Sequence, residues 1–317
     1  MFQEYRFMTT VLDFRLHASG QDPAHFSQQM GAACRGLGLF HLTEHGIPAR
    51  LLADVLDRSA RFFALPEEEK ARLDIRQSQA NRGWAGPGVE LRGGRYGRPM
   101  TKESYSIGLD LRSDDPRVRA GEPFRGSNLW PEDDLFRDVM RDYYKEMLGL
   151  GRGLMRAVER DLDLPQGFFQ PHFTEPMATL RLSYYPADPW FAEAQGDDPP
   201  QFDYGALTLV LGDGRGGLQV QTSSGQWIDV PEVPGSLIVM VGDGLMRWSN
   251  DQYRAVPHRL RSPARPRHVA AFYLDPNPDS LIAPLPGTGA AQYAPIRAAE
   301  YLRARLDETY LPMAQSR

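Results

Sequence analysis

The chain has 317 residues, of which 41% are hydrophobic and 24% charged, enough to bury a full core in one large domain or two small ones. Its net charge of -5, with basic residues scattered, excludes a nucleic-acid footprint and favours a small-molecule or protein partner. No apolar run is long enough to span a membrane, the N-terminus lacks the pattern of a secretory leader, and the single cysteine, Cys34, excludes an internal disulfide, so a cytoplasmic location is expected.

Taken in chain order, residues 10–14 (TVLDF) predict a short strand and Pro23 to about Leu37 a helix, within which Cys34 reads as a buried structural thiol. A second helix is expected over Ala49 to Phe63. A third, short helix follows, opened by Pro66 with three glutamates behind it, where the helix dipole favours negative charge. From Asn81 to about Gly126 the chain is rich in Gly, Pro and Arg and shows little periodicity. It reads as a long functional loop over a pocket, with Trp84, Arg92, Arg95, Tyr96, Lys102 and Tyr105 as candidate lining and the arginines suggesting a polar or anionic substrate. Residues 133–163 carry apolar positions at helical spacing for about eight turns.

Beyond that helix the period switches from 3.6 to 2. ATLRLSYY, ALTLVL, GLQVQ, QWIDV, SLIVMVG, AVPHRL and HVAAFYL follow one another between Gly, Pro, Asp or Asn turns, which argues for an antiparallel barrel or jelly roll with helices outside. Gly212, Gly214 and Gly217 match half of a dinucleotide-binding fingerprint, but GLQVQ continues as strand rather than helix, so they read as a hairpin turn. Residues 290–311 return to helix.

The chemistry-bearing constellation is Gln201-Phe202-Asp203, then His258, then Arg267. Residues i and i+2 of a strand point to one side, so Gln201 and Asp203 are expected to share a cavity. With His in place of Gln201 the set would be the 2-His-1-carboxylate iron cage of non-heme oxygenases. Asp203 and His258 could also serve without metal, as a buried hydrogen-bonded pair or an acid-base unit.

LFHLTEHGIP (39–48), RFFALPEEEK (61–70), RLSYYP (181–186), DYGALTLVL (203–211), GDGLMRWSN (242–250), VPHRL (256–260) and RPRHVAAFYLDPNPD (265–279) carry a resemblance over nearly the whole chain. Through them it resembles the iron(II)- and 2-oxoglutarate-dependent oxygenases of the isopenicillin N synthase-like group. The resemblance implies an α+β fold with a double-stranded β-helix (jelly roll) core, a helical cap region over 1–125 and a catalytic-type region over 126–317, together one compact unit. It implies Fe(II) and 2-oxoglutarate as cofactors and a small-molecule substrate of specialised metabolism. The family's His-x-Asp and distal His fall on Gln201, Asp203 and His258. Its Arg-x-Ser falls on Arg267 and Val269, and its Asn-x-Tyr on Ser183 and Tyr185. Asp203, His258, Arg267 and Tyr185 keep the pattern; Gln201, Val269 and Ser183 depart from it.

The departures have a physical cost. A Gln amide oxygen is neutral and a weaker donor to Fe(II) than imidazole, and Val269 cannot donate the hydrogen bond a serine would give a carboxylate. Three functions therefore stay open: an oxygenase with an atypical cage, a metal-independent isomerase, cyclase or lyase using Asp203 and His258, and a non-catalytic partner of an active homologue. Homo-oligomer and heteromer both remain open.

Overall fold

The structure, a computed structural model, describes residues 9–92, 97–187, 200–261 and 265–310, without the Arg92 side chain. The first part holds β1 (Thr10–Asp13), α1 (Arg15–Ala18), α2 (Pro23–Arg35), β2 (Leu39–Thr43), α3 (Ala49–Phe63) and α4 (Glu67–Ala71). β3 (Gly83–Ala85), β4 (Leu91–Arg92), β5 (Arg98–Pro99), β6 (Glu103–Gly108), α5 (Pro116–Arg119) and α6 (Asp134–Asp161) follow. The second part holds β7 (Thr179–Tyr185), β8 (Leu207–Gly212), β9 (Leu218–Gln221), β10 (Trp227–Asp229), β11 (Leu237–Val241) and α7 (Asp243–Trp248). It ends with β12 (His258–Leu260), β13 (Arg267–Leu274), β14 (Leu281–Ile282), β15 (Ile296–Arg297) and α8 (Ala298–Thr309).

Two sheets face each other. The larger runs β1-β2-β11-β8-β13-β7-β6-β3 and the smaller β10-β9-β12. On β13, Ala270, Phe272 and Leu274 are buried toward the helices, with the Phe272 ring 5.3 Å from Tyr144 of α6. Val269, Ala271 and Tyr273 alternate with them and face the smaller sheet. α2, α3 and α6 cover the outer face of the large sheet, and α6 does so because Phe136, Met140, Tyr143, Met147, Leu150 and Leu154 recur on one stripe. Asp133 caps that helix, accepting from the Phe136 N–H at 3.0 Å. A second core of Leu39, Ile238, Met240, Leu218, Val220, Ile228 and Val256 joins the two sheets at one end and leaves the other end open. Cys34 is wholly buried, and burial pushes its thiol up.

Three expectations are corrected here. Residues 81–126 are not a long loop: β6 pairs with β7 over six positions, Glu103↔Tyr184 to Gly108↔Thr179, and β3 pairs with β6. The strand is short and sits in a Gly-, Pro- and Arg-rich stretch, so the alternation of Tyr105 and Ile107 with Ser104, Ser106 and Gly108 was overlooked. Nor do Gly212, Gly214 and Gly217 make a hairpin. Both edges of β8 are taken by β11 and β13, so β9 crosses to the other sheet. The C-terminal helix also begins later than expected, at Ala298, after β15 has paired with β14.

Candidate functional site

The open end of the sandwich holds a cavity of about 370 Å³. Gln201, Asp203 and His258 all line it. The first and last are locked together by a two-way backbone bridge, Gln201 N–H to the His258 carbonyl and His258 N–H to the Gln201 carbonyl, both 2.9 Å. Residues 202–204 are not strand, yet Asp203 reaches the same space while Phe202 is 37% exposed.

The donor chemistry is specific. His258 Nδ1 lies 3.2 Å from the Val256 carbonyl, which can only accept, so Nδ1 carries the ring proton. The Nε2 lone pair then faces Asp203 Oδ1 at 3.8 Å, too far for a hydrogen bond. Asp203 Oδ2 is buried and has no partner. Two electron-pair donors aimed at one point, with the second imidazole nitrogen anchored on a carbonyl, fit a cation between them. Among the described residues no three His, Cys, Asp or Glu side chains converge as a metal set. Gln201, whose side chain ends in a neutral amide, lines the same cavity.

Arg267, Val269, Ser183 and Tyr185 form one patch on the inner face, because Arg267 pairs with Tyr185 and Val269 with Ser183 across β13 and β7. Arg267 is 2% exposed and its guanidinium stands 4.8 Å from the Tyr185 ring centre. Its two terminal nitrogens donate to the Gly216 carbonyl at 2.5 Å and the Arg261 carbonyl at 3.3 Å, while Nε has no partner. Burial holds this guanidinium below its ordinary pKa. Among the described residues no carboxylate lies within ion-pair distance of this buried cation, which suits an anionic ligand group; Val269 adds no donor to it.

The adjoining wall is charged, and sequence reasoning missed most of it. Glu90 lies 2.9 Å from Lys102 Nζ and 3.3 Å from Arg181, and it also accepts from the Ser104 hydroxyl. Burial alone would raise the Glu90 carboxyl, but the Arg181 and Lys102 charges and the Ser104 and Lys102 hydrogen bonds outweigh it and bring it down to about 2. Arg181 also donates to the Tyr310 hydroxyl. Period two on β7 already places Arg181 on the face of Ser183 and Tyr185, which is the signal that could have found it. Asp275, at the end of β13, lines the cavity too; burial and the nearby Asp203 push it up to about 7 despite Arg82.

Of the loop residues expected to line the pocket, Lys102 does. Trp84 and Tyr105 do not: they pair across β3 and β6 on the outer face, Trp84 donating to Glu103 at 2.8 Å and Tyr105 packing on Phe62 and Phe136. Arg95 and Tyr96 lie outside the described residues, as does the Arg92 side chain. His268 faces away from Arg267, against Tyr184 and Phe63.

A family model described as the 2OG-Fe(II) oxygenase superfamily matches residues 176–276, and one described as the N-terminal part of a non-haem dioxygenase in morphine synthesis matches residues 10–133. A 2-oxoglutarate-Fe(II) type oxidoreductase of Emericella nidulans is 32% identical over 95% of this chain and 90% of its own length. A clavatol oxidase of Penicillium crustosum is 32% identical over 89% and 90%. The crystal structure of a full-length Neurospora crassa protein in complex with alpha-KG and thymine superposes with a TM-score of 0.81 at 30% identity, covering 94% of this chain and 96% of that one. With both halves matched and relatives spanning nearly the whole length, the chain belongs to the Fe(II)- and 2-oxoglutarate-dependent oxidoreductases, on their jelly-roll fold.

Proposed function

We propose that this chain is an Fe(II)/2-oxoglutarate oxygenase of a small polar or anionic molecule, whose metal is held by Asp203 and His258 and, weakly, by the amide oxygen of Gln201. The observation that carries this reading is the 3.8 Å gap between the His258 Nε2 lone pair and Asp203 Oδ1, beside an unpartnered Oδ2. Two electron-pair donors at that separation repel each other unless a cation or proton lies between them. When bound, iron with 2-oxoglutarate supplies an oxidant derived from O2 and from decarboxylation of the cosubstrate.

The residues of this chain then divide the remaining work. Arg267 and Tyr185 are suited to a cosubstrate carboxylate, with the Ser183 hydroxyl on the same patch; of these three Tyr185 lines the cavity and the other two adjoin it on the same strand face. Lys102 and Arg181 outnumber Glu90 on the wall and favour a substrate with an anionic or acceptor group. The Asp203 carboxylate draws the cation, while Arg267, Lys102 and Arg181 draw the anion. A volume of about 370 Å³ suits a small molecule, as does the binding of thymine by the Neurospora relative.

Anaerobic Fe(II) titration, followed by 2-oxoglutarate consumption with and without O2, tests the reading. Consumption that needs both Fe(II) and O2 supports it. Turnover of a substrate unaffected by chelator and by removal of O2 would instead make Asp203 and His258 a metal-independent acid-base unit.

A further inference from the structure

The C-terminal helix holds the cavity at several points. Leu302, Arg305, Leu306 and Thr309 of α8 line it alongside Asp203 and His258. One tie passes through Asp243, the first residue of α7, which is 7% exposed. Its backbone N–H donates to the Asp203 carbonyl at 2.7 Å, and its carboxylate accepts from both the Tyr301 hydroxyl and the Arg305 guanidinium of α8. The neighbouring amides of Gly242 and Gly244 donate to the Ala206 and Tyr204 carbonyls at 3.0 and 3.1 Å, so the turn 203–206 rests on the start of α7. A second tie joins the Tyr204 hydroxyl to Thr309 at 2.9 Å. A third pairs Tyr310 with Glu90 by a backbone bridge and brings its hydroxyl to Arg181.

We propose that Asp243 is a positioning residue: it seats α8 with its carboxylate and fixes the Asp203 backbone with its amide, so that the cavity wall and the metal donor set form together. Asp243 is absent from the cavity lining and touches no reacting atom. Its charge matters because Arg305, like Asp203, lines the cavity. With the Asp243 carboxylate in place, Arg305 is satisfied there and does not compete for Asp203. The inference rests on the proposed metal reading only for its second readout.

The test compares the full chain with Asp243→Asn, Asp243→Glu and the milder pair Tyr301→Phe and Arg305→Gln, which leave residue 243 itself intact. Hydrogen exchange followed by mass spectrometry needs no metal. Both Asp243→Asn and the milder pair should speed exchange about tenfold or more in peptides covering 201–206 and 298–310 together, with β7 and β13 unchanged, since a charge-assisted bond is worth roughly that factor or more. Asp243→Glu should recover part of it. In parallel, Co(II) titration followed by its visible absorption should show an affinity about tenfold weaker in Asp243→Asn and partly restored in Asp243→Glu. Faster exchange in 298–310 with 201–206 unmoved in the milder pair overturns the proposal. A parent chain that shows no Co(II) spectrum overturns the metal reading instead, and the exchange result still decides the role of Asp243.

Discussion

In the proposed metal site Gln201 is the weakest of the three donors. His258 and Asp203 supply an anchored imidazole and a carboxylate, and the third position is a neutral amide. Gln201→His should tighten Fe(II) binding by about tenfold or more, read by anaerobic titration, because disturbing even an outer partner of a metal ligand costs on that order. Val269→Ser should add a donor beside Arg267 and lower the 2-oxoglutarate Kd roughly tenfold, measured calorimetrically. Asp275 makes a pH prediction. Its folded-state pKa of about 7 lies above the unfolded value, so the protonated form is favoured on folding. Its contribution is full below about pH 4 and lost as pH rises through about 7. Denaturant midpoints of metal-free protein should fall between about pH 4 and 7, and Asp275→Asn should flatten that decline.

At the scale of elements, the turn after Gln201 depends on a glycine. A Cβ on Gly242 would overlap the Gly205 carbonyl oxygen, since the start of α7 lies directly against residues 203–206. Gly242→Ala should cost roughly 1–3 kcal/mol in urea unfolding and weaken metal binding with it, because the shift lands on Asp203. Much of this level was readable from periodicity: α3 runs over Ala49–Phe63 as the sequence spacing predicts, and α6 and the seven strand segments after it are present. β6 was overlooked although Tyr105 and Ile107 alternate with Ser104, Ser106 and Gly108, because six residues of period two are a weak signal inside a Gly-, Pro- and Arg-rich stretch. Of the Glu90–Lys102–Arg181 wall Lys102 was expected and its two partners were missed, since β6 is what brings Lys102 beside β7.

For the whole molecule, that wall is also an acid-sensitive clasp. Glu90 ties residues before β4 to Lys102, to Arg181 of β7 and, through the backbone bridge, to Tyr310 after α8. Its carboxyl is held near 2, below the unfolded value, so its stabilisation is present above about pH 4.5 and lost as pH falls toward 2. Stability should drop over that window by up to roughly 3 kcal/mol from this group. Glu90→Gln should be less stable at pH 7, because Lys102 and Arg181 lose their counter-charge, and flatter below pH 4.5 by the same denaturation measurement.

The sequence by itself determined the periods of the main helices and strands, the jelly-roll class, and the presence of Asp203, His258 and Arg267 with a neutral residue at 201. Those are local facts: side-chain period, turn residues and donor types a few positions apart. Only the tertiary structure decided that β9 leaves β8 for the other sheet, that Trp84 and Tyr105 face outward, that His258 Nε2 looks at Asp203 across 3.8 Å, and that α8 closes on Asp243. Each depends on which distant segments pair and in which register, and a one-residue slip in register would turn every side chain to the opposite face.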